Sequence, residues 1–273
     1  MRQSGDTTFA DLLNALRVGE LRPKHFSVLM SKVLKEATGD FEVDKALRIY
    51  PTRAQVDSHN GIVLEKYRSK GITISKIIAQ DNLVNATRKD TVDINTIVSS
   101  DTNKTGGLPK HLEIFVGARV MLRSNVNIEQ GLVNGAMGIV SEITWPCYRR
   151  AQVYKEDIPS SVTINFGKDG IHSIKPISLQ FPALRNYGTI ERRQLPLILC
   201  WACTVHKMQG CTVDNAVVFL GSKLFAKGQA YVALSCVRSL NGLRIEELDL
   251  SKLTGLTPCN EAALDEMKRM RSI

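Results

Sequence analysis

No run of about 18 uninterrupted apolar residues occurs in the sequence, so nothing in it reads as a helix spanning a bilayer. The first residues carry no signal-type apolar core, and neither an internal repeat nor a low-complexity tail is present. A G-x-x-x-x-G-K-S/T loop is also missing. Gly167-Lys168 runs into Asp169 without the earlier glycine, and Gly221-Ser222-Lys223 has the wrong order. Without that loop there is no backbone nest for nucleotide phosphates, no lysine on them and no hydroxyl on magnesium, so this chain alone is not a complete ATPase of that type.

The six cysteines, at 147, 200, 203, 211, 236 and 259, form no disulfide framework in a chain of 273 residues, which points to a reducing compartment. Cys200 and Cys203 have metal-type spacing but no second ligand pair at matching spacing. Small buried thiols in a core element account for them equally well, and no metal site is expected.

What is present is a globular composition, 43% hydrophobic and 23% charged, enough for a full core in one large or two modest domains. Lys and Arg total 36 against 27 Asp and Glu, giving a net charge of +9 and a pI near 9.3. That balance suits a polyanionic partner such as nucleic acid or an acidic membrane face, with ordinary basic solvation as the alternative.

Phe9, Leu12, Leu13 and Leu16 follow an i, i+3, i+4, i+7 stripe that predicts an amphipathic helix ending at Gly19. A second helix is expected over 26–37, stopped by Gly39. Residues 46–50 read as a buried strand, which Pro51-Thr52 turns into a helix carrying Val56, Val63, Leu64 and Tyr67 before Gly71. Strand, turn and helix in that order indicate an α/β unit with a parallel sheet. After 72–79 the chain turns polar through Gly107 and reads as a linker or surface loop. Residues 112–180 have short strands punctuated by Asn134-Gly135 and Gly167-Lys168-Asp169-Gly170, the texture of a small antiparallel barrel. The α/β texture resumes near Leu195, with a strand at 215–220, a helix from Gln229, a strand at 243–245 and a solvated helix over 261–271. The expected plan is an α/β domain over 1–100 and 190–255, an inserted barrel over 108–185, and a C-terminal helix or tail over 256–273.

The chemistry concentrates where an apolar run starting at Leu197 opens into Thr204-Val205-His206-Lys207-Met208-Gln209-Gly210. A hydroxyl, an imidazole, a point charge and an amide in succession are groups that hold backbone phosphates without reading bases. Gly210 permits close approach of a backbone. Taken singly, each residue fits a polar helix start above a core strand; the whole run is more specific. Further on, Gly228-Gln229-Ala230-Tyr231-Val232-Ala233-Leu234-Ser235 has the form of a helix N-terminus beside a phosphate or another domain.

In their order, these pieces resemble the C-terminal half of a Pif-type helicase (the petite-integration-frequency family, superfamily one, group B). The likeness is nearest to the forms that accompany some eukaryotic mobile elements. It extends from Arg2-Gln3 through Tyr50-Pro51-Thr52, Asn60, the run from Val116 to Leu122, and Leu132-Val133-Asn134-Gly135 to the two signals above. The resemblance implies a second RecA-like domain of the P-loop NTPase type, with a parallel sheet and an inserted Src-homology-three-like barrel. It also implies an ATP cleft shared with a first RecA-like P-loop domain, in cis or trans, and 5′-to-3′ movement on single-stranded DNA. ATP and Mg2+ would be held only when that P-loop domain is joined, and none by this chain alone. Arg2 matches an arginine that approaches the terminal phosphates, with Gln3, Gly210 and Gln229 on the ATP side. Thr204, His206 and Lys207, and more loosely Thr52 and Asn60, match the strand-contacting side. Family analogy places the protein in the nucleus, with a mitochondrial address as the alternative, and no membrane partner.

Two departures bear on activity. The acidic magnesium and water-activating motif is missing along with the P-loop. Cys236 stands where the family carries an arginine finger, a group worth about 10³ to 10⁵ in rate in related phosphoryl-transfer enzymes. Arg238 is turned about 200° away on a helix and is a poor substitute. The alternative reading is therefore a non-catalytic nucleic-acid-binding or interaction module derived from a decayed helicase.

Overall fold

The computed structural model describes residues 3, 5–86, 93–146, 158–223, 226–254 and 261–271. Helix α1 (Thr7–Val18) forms on the expected stripe, with Phe9, Leu12, Leu13 and Leu16 all buried. Asp6 caps its start by accepting the Phe9 N–H at 3.0 Å. Gly19, at φ 79°, closes its end in the left-handed conformation that glycine adopts without strain. Helix α2 (Pro23–Ser31) opens on a proline, whose missing N–H costs nothing at that position. It ends at Ser31 rather than at 37. Beyond it the chain extends so that Ile245 donates to the Lys32 carbonyl at 2.8 Å and Leu34 donates back to Ile245 at 2.7 Å. Sheet-edge pairing of β-branched Val33 with Ile245 has replaced the last helical turns.

The chain continues through β1 (Leu47–Tyr50), α3 (Arg53–Ser69), β2 (Ser75–Ile78), β3 (Gln80–Ala86), α4 (Ile94–Ile97), β4 (His111–Ile114), β5 (Arg119–Leu122) and β6 (Met137–Thr144). Next come β7 (Ser161–Asn165), β8 (Ile171–Ile174), β9 (Ile177–Pro182), β10 (Gly188–Gln194), β11 (Leu197–Leu199) and β12 (Ala202–Thr204). The last elements are α5 (Val205–Met208), β13 (Ala216–Leu220), α6 (Gln229–Ser235), β14 (Leu243–Leu248) and α7 (Glu261–Arg271). They make two compact units, Met1–Lys66 with Trp201–Ile273, and Tyr67–Cys200. The second unit starts before, and ends after, the 108–185 expected for an insertion.

The first unit is α/β. Its sheet has the order β12-β1-β13-β14, and every neighbouring pair in it is parallel. Strands β1 and β13 are buried at every residue, as parallel strands covered on both faces must be.

The second unit is antiparallel, with sheets ordered β11-β5-β6-β7-β8, β3-β10-β9 and β2-β4. No sheet closes on itself among the described residues, so the expected small barrel is not observed. Strand β9, which follows β8, turns away to pair with β10, leaving the five-stranded sheet without a strand to complete a ring. Strand β3 runs through the stretch read as a loop. Leu83 packs there against Ile97, Phe181 and Ile190, and Asp81 is paired with the buried Arg192 at 2.7 Å. This is a half-exposed edge strand whose polar residues, Asp81 among them, make it look like a loop.

The apolar run from Leu197 is not one element but two. Strand β11 pairs antiparallel with β5, and β12 pairs parallel with β1. The chain thus leaves one unit and enters the other between Cys200 and Trp201. None of the described helices is long and apolar enough to cross a membrane.

Candidate nucleic-acid interface

Parallel strands deliver their following loops to one edge of the sheet, the edge at which open α/β folds bind ligands. Strands β1 and β12 end level with each other, Tyr50 opposite Thr204. Thr52 follows β1 on one side, and on the other Thr204 closes β12 with His206 and Lys207 after it. Adjacent strands lie about 4.8 Å apart, so the two segments share one patch.

Helix α5 is anchored by Val205 and Met208, both buried. That spacing leaves His206 exposed and Lys207 half-buried, with Gln209 and Gly210 exposed beyond them. Thr204 begins the helix without making a side-chain cap. Gly210 has φ 90° and open space where a Cβ would stand, so glycine is needed for the backbone and a ligand backbone can come close. Thr52 Oγ1 donates to Gln55 Oε1 at 2.8 Å and accepts the Gln55 N–H at 3.4 Å, fixing the first turn of α3.

Asn60 is used differently from its neighbours in the patch. Its Oδ1 accepts the N–H groups of Trp201 at 3.1 Å and Ala202 at 2.9 Å, and its Nδ2 donates to the Ala202 carbonyl at 3.4 Å. The amide is spent on the backbone of β12, so Asn60 positions the donors at that strand's end. The residue before it, His59, donates through Nε2 to the Val43 carbonyl at 2.9 Å, and burial pushes its pKa down. Tyr50, at the end of β1, donates to Glu246 Oε2 at 2.7 Å, and burial holds its hydroxyl protonated. Sequence reasoning assigned Tyr50 and Glu246 no role, although an aromatic closing a buried strand was a visible signal.

The residues expected on the ATP side gather around α6 without meeting at one point. Gln229, 4% exposed, opens the helix and accepts the Ala226 N–H at 3.4 Å. Gln3, 8% exposed, serves the other end, donating to the carbonyls of Ser235 at 3.1 Å and Val237 at 3.0 Å. A helix of this length separates them by about 10 Å. Cys236 is 1% exposed, and its thiol lies 3.0 Å from the carbonyls of Met208 and Val232. It therefore packs α5 against α6. Arg238 is paired with Asp214 at 3.2 Å on the surface. Arg2 lies outside the described residues. Among the described residues no cluster of His, Cys, Asp or Glu could hold a metal ion.

The family description "DNA helicase Pif1, 2B domain" matches residues 101–143. The ATP-dependent DNA helicase PIF1 of Danio rerio is 31% identical over 273 residues, covering 99% of this chain and 37% of that protein. Among solved structures, the Pif1 helicase from Candida albicans has a TM-score of 0.71 at 26% identity, covering all of this chain and 59% of that one. The Pif1 helicase from Bacteroides in complex with ADP-AlF3 and ssDNA has a TM-score of 0.67 at 22% identity, covering all of this chain and 55% of that one, and shares the fold. The chain spans little more than a third of the length of the curated helicases it matches. Along nearly its whole length the chain is homologous to the Pif1 helicases.

Proposed function

We propose that this chain is the C-terminal motor portion of an ATP-dependent 5′-to-3′ DNA helicase. In this reading the first unit is its second RecA-like domain. Thr204, His206 and Lys207, with Thr52 beside them, grip the phosphates of single-stranded DNA. Arg2, Gln3, Gly210 and Gln229 belong to the wall that closes an ATP cleft. The P-loop, the magnesium ligand and the water-activating carboxylate come from a first RecA-like domain, in cis or trans. ATP and Mg2+ bind only in that joined form, and its place of work is the nucleus or the mitochondrion.

The observation carrying this reading is the arrangement at the carboxyl ends of β1 and β12. A hydroxyl, an imidazole and an ammonium leave one strand level with Thr52 leaving its neighbour, and Asn60 holds that strand's backbone in place. The Bacteroides helicase of the same fold was solved in complex with both ADP-AlF3 and ssDNA, in keeping with a nucleotide side and a strand side.

A second reading, a non-catalytic nucleic-acid-binding module descended from such a motor, is favoured by Cys236. A thiol packed under the Met208 carbonyl cannot stabilise charge developing on a phosphate.

Anisotropy titrations of labelled oligothymidylate across a salt series test the shared part. Phosphate-driven binding weakens steeply as salt rises. Affinity that stays constant with salt, or binding confined to one base sequence, would overturn it. Adding a P-loop domain then separates the readings: DNA-stimulated ATP hydrolysis selects the motor, and none selects the module.

A further inference from the structure

Arg17 is a cation without a counter-charge among the described residues. It lies in the last turn of α1, where the helix dipole favours a positive group. The dipole accounts for the charge but not for the surroundings. Its Nε is shut away from solvent and meets no acceptor among the described residues. Among the described residues its guanidinium reaches one acceptor, Asn14 Oδ1, at 3.4 Å, and no carboxylate. Asp11, the acid nearest in sequence on the same helix, is taken by Lys24 at 2.6 Å and by His25 at 3.0 Å.

Arg17 is one of the residues lining a cavity of about 250 Å³ between α1 and α6, which its enclosed Nε does not face. That is room for several groups of water size, each needing about 30 Å³. Gln3, Asn14, Arg17, Tyr231 and Ser235 supply the polar lining, and among the described residues no acidic residue contributes. Gln3 spends its N–H groups on the Ser235 and Val237 carbonyls and the Ser235 hydroxyl donates to the Val232 carbonyl at 2.9 Å, so among the described residues the donors open to a ligand are the Arg17 guanidinium, the Tyr231 hydroxyl and the Asn14 amide. Ser235 directly precedes Cys236, the position at which the chain lacks an arginine.

We infer that this cavity binds a phosphate group, with Arg17 as its cation and the Tyr231 hydroxyl and Asn14 amide as its remaining donors. The phosphate belongs either to a nucleotide or to a nucleic-acid backbone; both present the same tetrahedral anion to a guanidinium. Only the source rests on the function proposed above. The site itself does not.

Thermal unfolding of the full chain in inorganic phosphate, against chloride at equal ionic strength, tests it. Phosphate raises the unfolding midpoint of the wild type. Arg17→Gln weakens phosphate binding about 10- to 100-fold, the loss expected for a charge-assisted hydrogen-bond donor, and Arg17→Lys retains part of it. An equal response to both salts, or the same phosphate response in Arg17→Gln as in the wild type, overturns the proposal. Should Arg17→Gln fail to fold, Tyr231→Phe and Asn14→Ala each remove one donor, and unchanged affinity in both overturns it as well. ATP, with a P-loop domain supplied, and an oligothymidylate are then titrated into wild type and Arg17→Gln. The one that loses affinity in the variant is the source, and a variant that binds both normally refutes the site. In a Lys207→Gln background, which lowers strand affinity, Arg17→Gln still reduces the inorganic-phosphate response, so failure of this site is distinguishable from failure of the strand reading.

Discussion

The Asn60 side-chain oxygen accepts the Ala202 main-chain N–H at 2.9 Å, joining the middle of α3 to the edge strand β12. Strand β12 has one neighbour in its sheet, so its remaining polar groups need partners from elsewhere, and Asn60 provides them. Removing the amide strands the N–H groups of both Trp201 and Ala202. Asn60→Leu is expected to lower stability by about 1–3 kcal/mol. It also weakens single-stranded DNA binding without changing the salt slope, because no phosphate contact is lost. Urea unfolding and a salt series measure the two effects; a reduced slope would make Asn60 a direct phosphate ligand.

Lys207 presents the complementary case. It sits half-buried on α5 between buried Val205 and Met208, and its replacement leaves that anchor alone. Lys207→Gln should leave the unfolding midpoint nearly unchanged and weaken binding equally on all sequences. The slope of log K against log salt should fall by about 1. Loss restricted to one sequence would mean that the residue reads bases.

In the second unit, Arg192 is 1% exposed. It makes two bonds of 2.7 Å to Asp81 and a third, at 3.0 Å, to the Leu108 carbonyl. Breaking such a pair leaves a buried carboxylate without its cation. Arg192→Met is expected to cost about 3–5 kcal/mol. Adding Asp81→Leu should recover much of it, since a shape-matched apolar pair avoids the desolvation of both charges. Denaturant midpoints of the two single variants and the double variant decide this; additive losses would mean the pair is not coupled.

The same residue shows where sequence reading ran out. Helix α1, the parallel strands and the order of the polar residues after β12 follow from short-range patterns: an apolar stripe, a buried run, a glycine at the turn. Strands β3 and β10 were missed because Asp81 and Arg192 look like surface residues until each is seen to neutralise the other. The run from Leu197 reads as one element because periodicity cannot tell that residues 197–199 pair with β5 and residues 202–204 with β1. The roles of Asn60 and Gln3 lay in long-range bonds to Ala202 and Ser235, and spacing along the chain does not encode those partners.

Cys236 offers a test of packing. Its thiol is enclosed by the carbonyls of Met208 and Val232, whereas Cys211 is partly exposed. In native labelling, Cys211 should be modified well before Cys236, which reacts only on unfolding. Cys236→Arg inserts a long cation where α5 meets α6, and overpacking of this kind costs about 1–3 kcal/mol. Equal labelling rates at the two positions, or a Cys236→Arg chain as stable as wild type, would show that position 236 opens to solvent.

The response to acid should begin at His59. Its Nε2 faces the Val43 carbonyl, which can only accept, so the ring carries its proton there and leaves Nδ1 3.4 Å from the Tyr50 hydroxyl. Burial and the Arg48 charge oppose a second proton, while Glu246 and the Val43 carbonyl favour it; the balance lowers the pKa below its ordinary 6.5. The unfolded chain therefore binds a proton at His59 before the folded one does, and stability rises with pH across that interval. Read downward, stability begins to fall just below pH 6.5, and the loss is complete once pH drops below the folded pKa. His111, also lowered by burial, adds to the same window. Asp11, held down to about 2 by Lys24 and His25, contributes only below its ordinary 3.8. His59→Gln keeps an amide donor near Val43 but removes the titration, so its unfolding free energy should slope less below pH 6.5 than that of the wild type. Parallel slopes for the two proteins would assign the acid sensitivity to other groups.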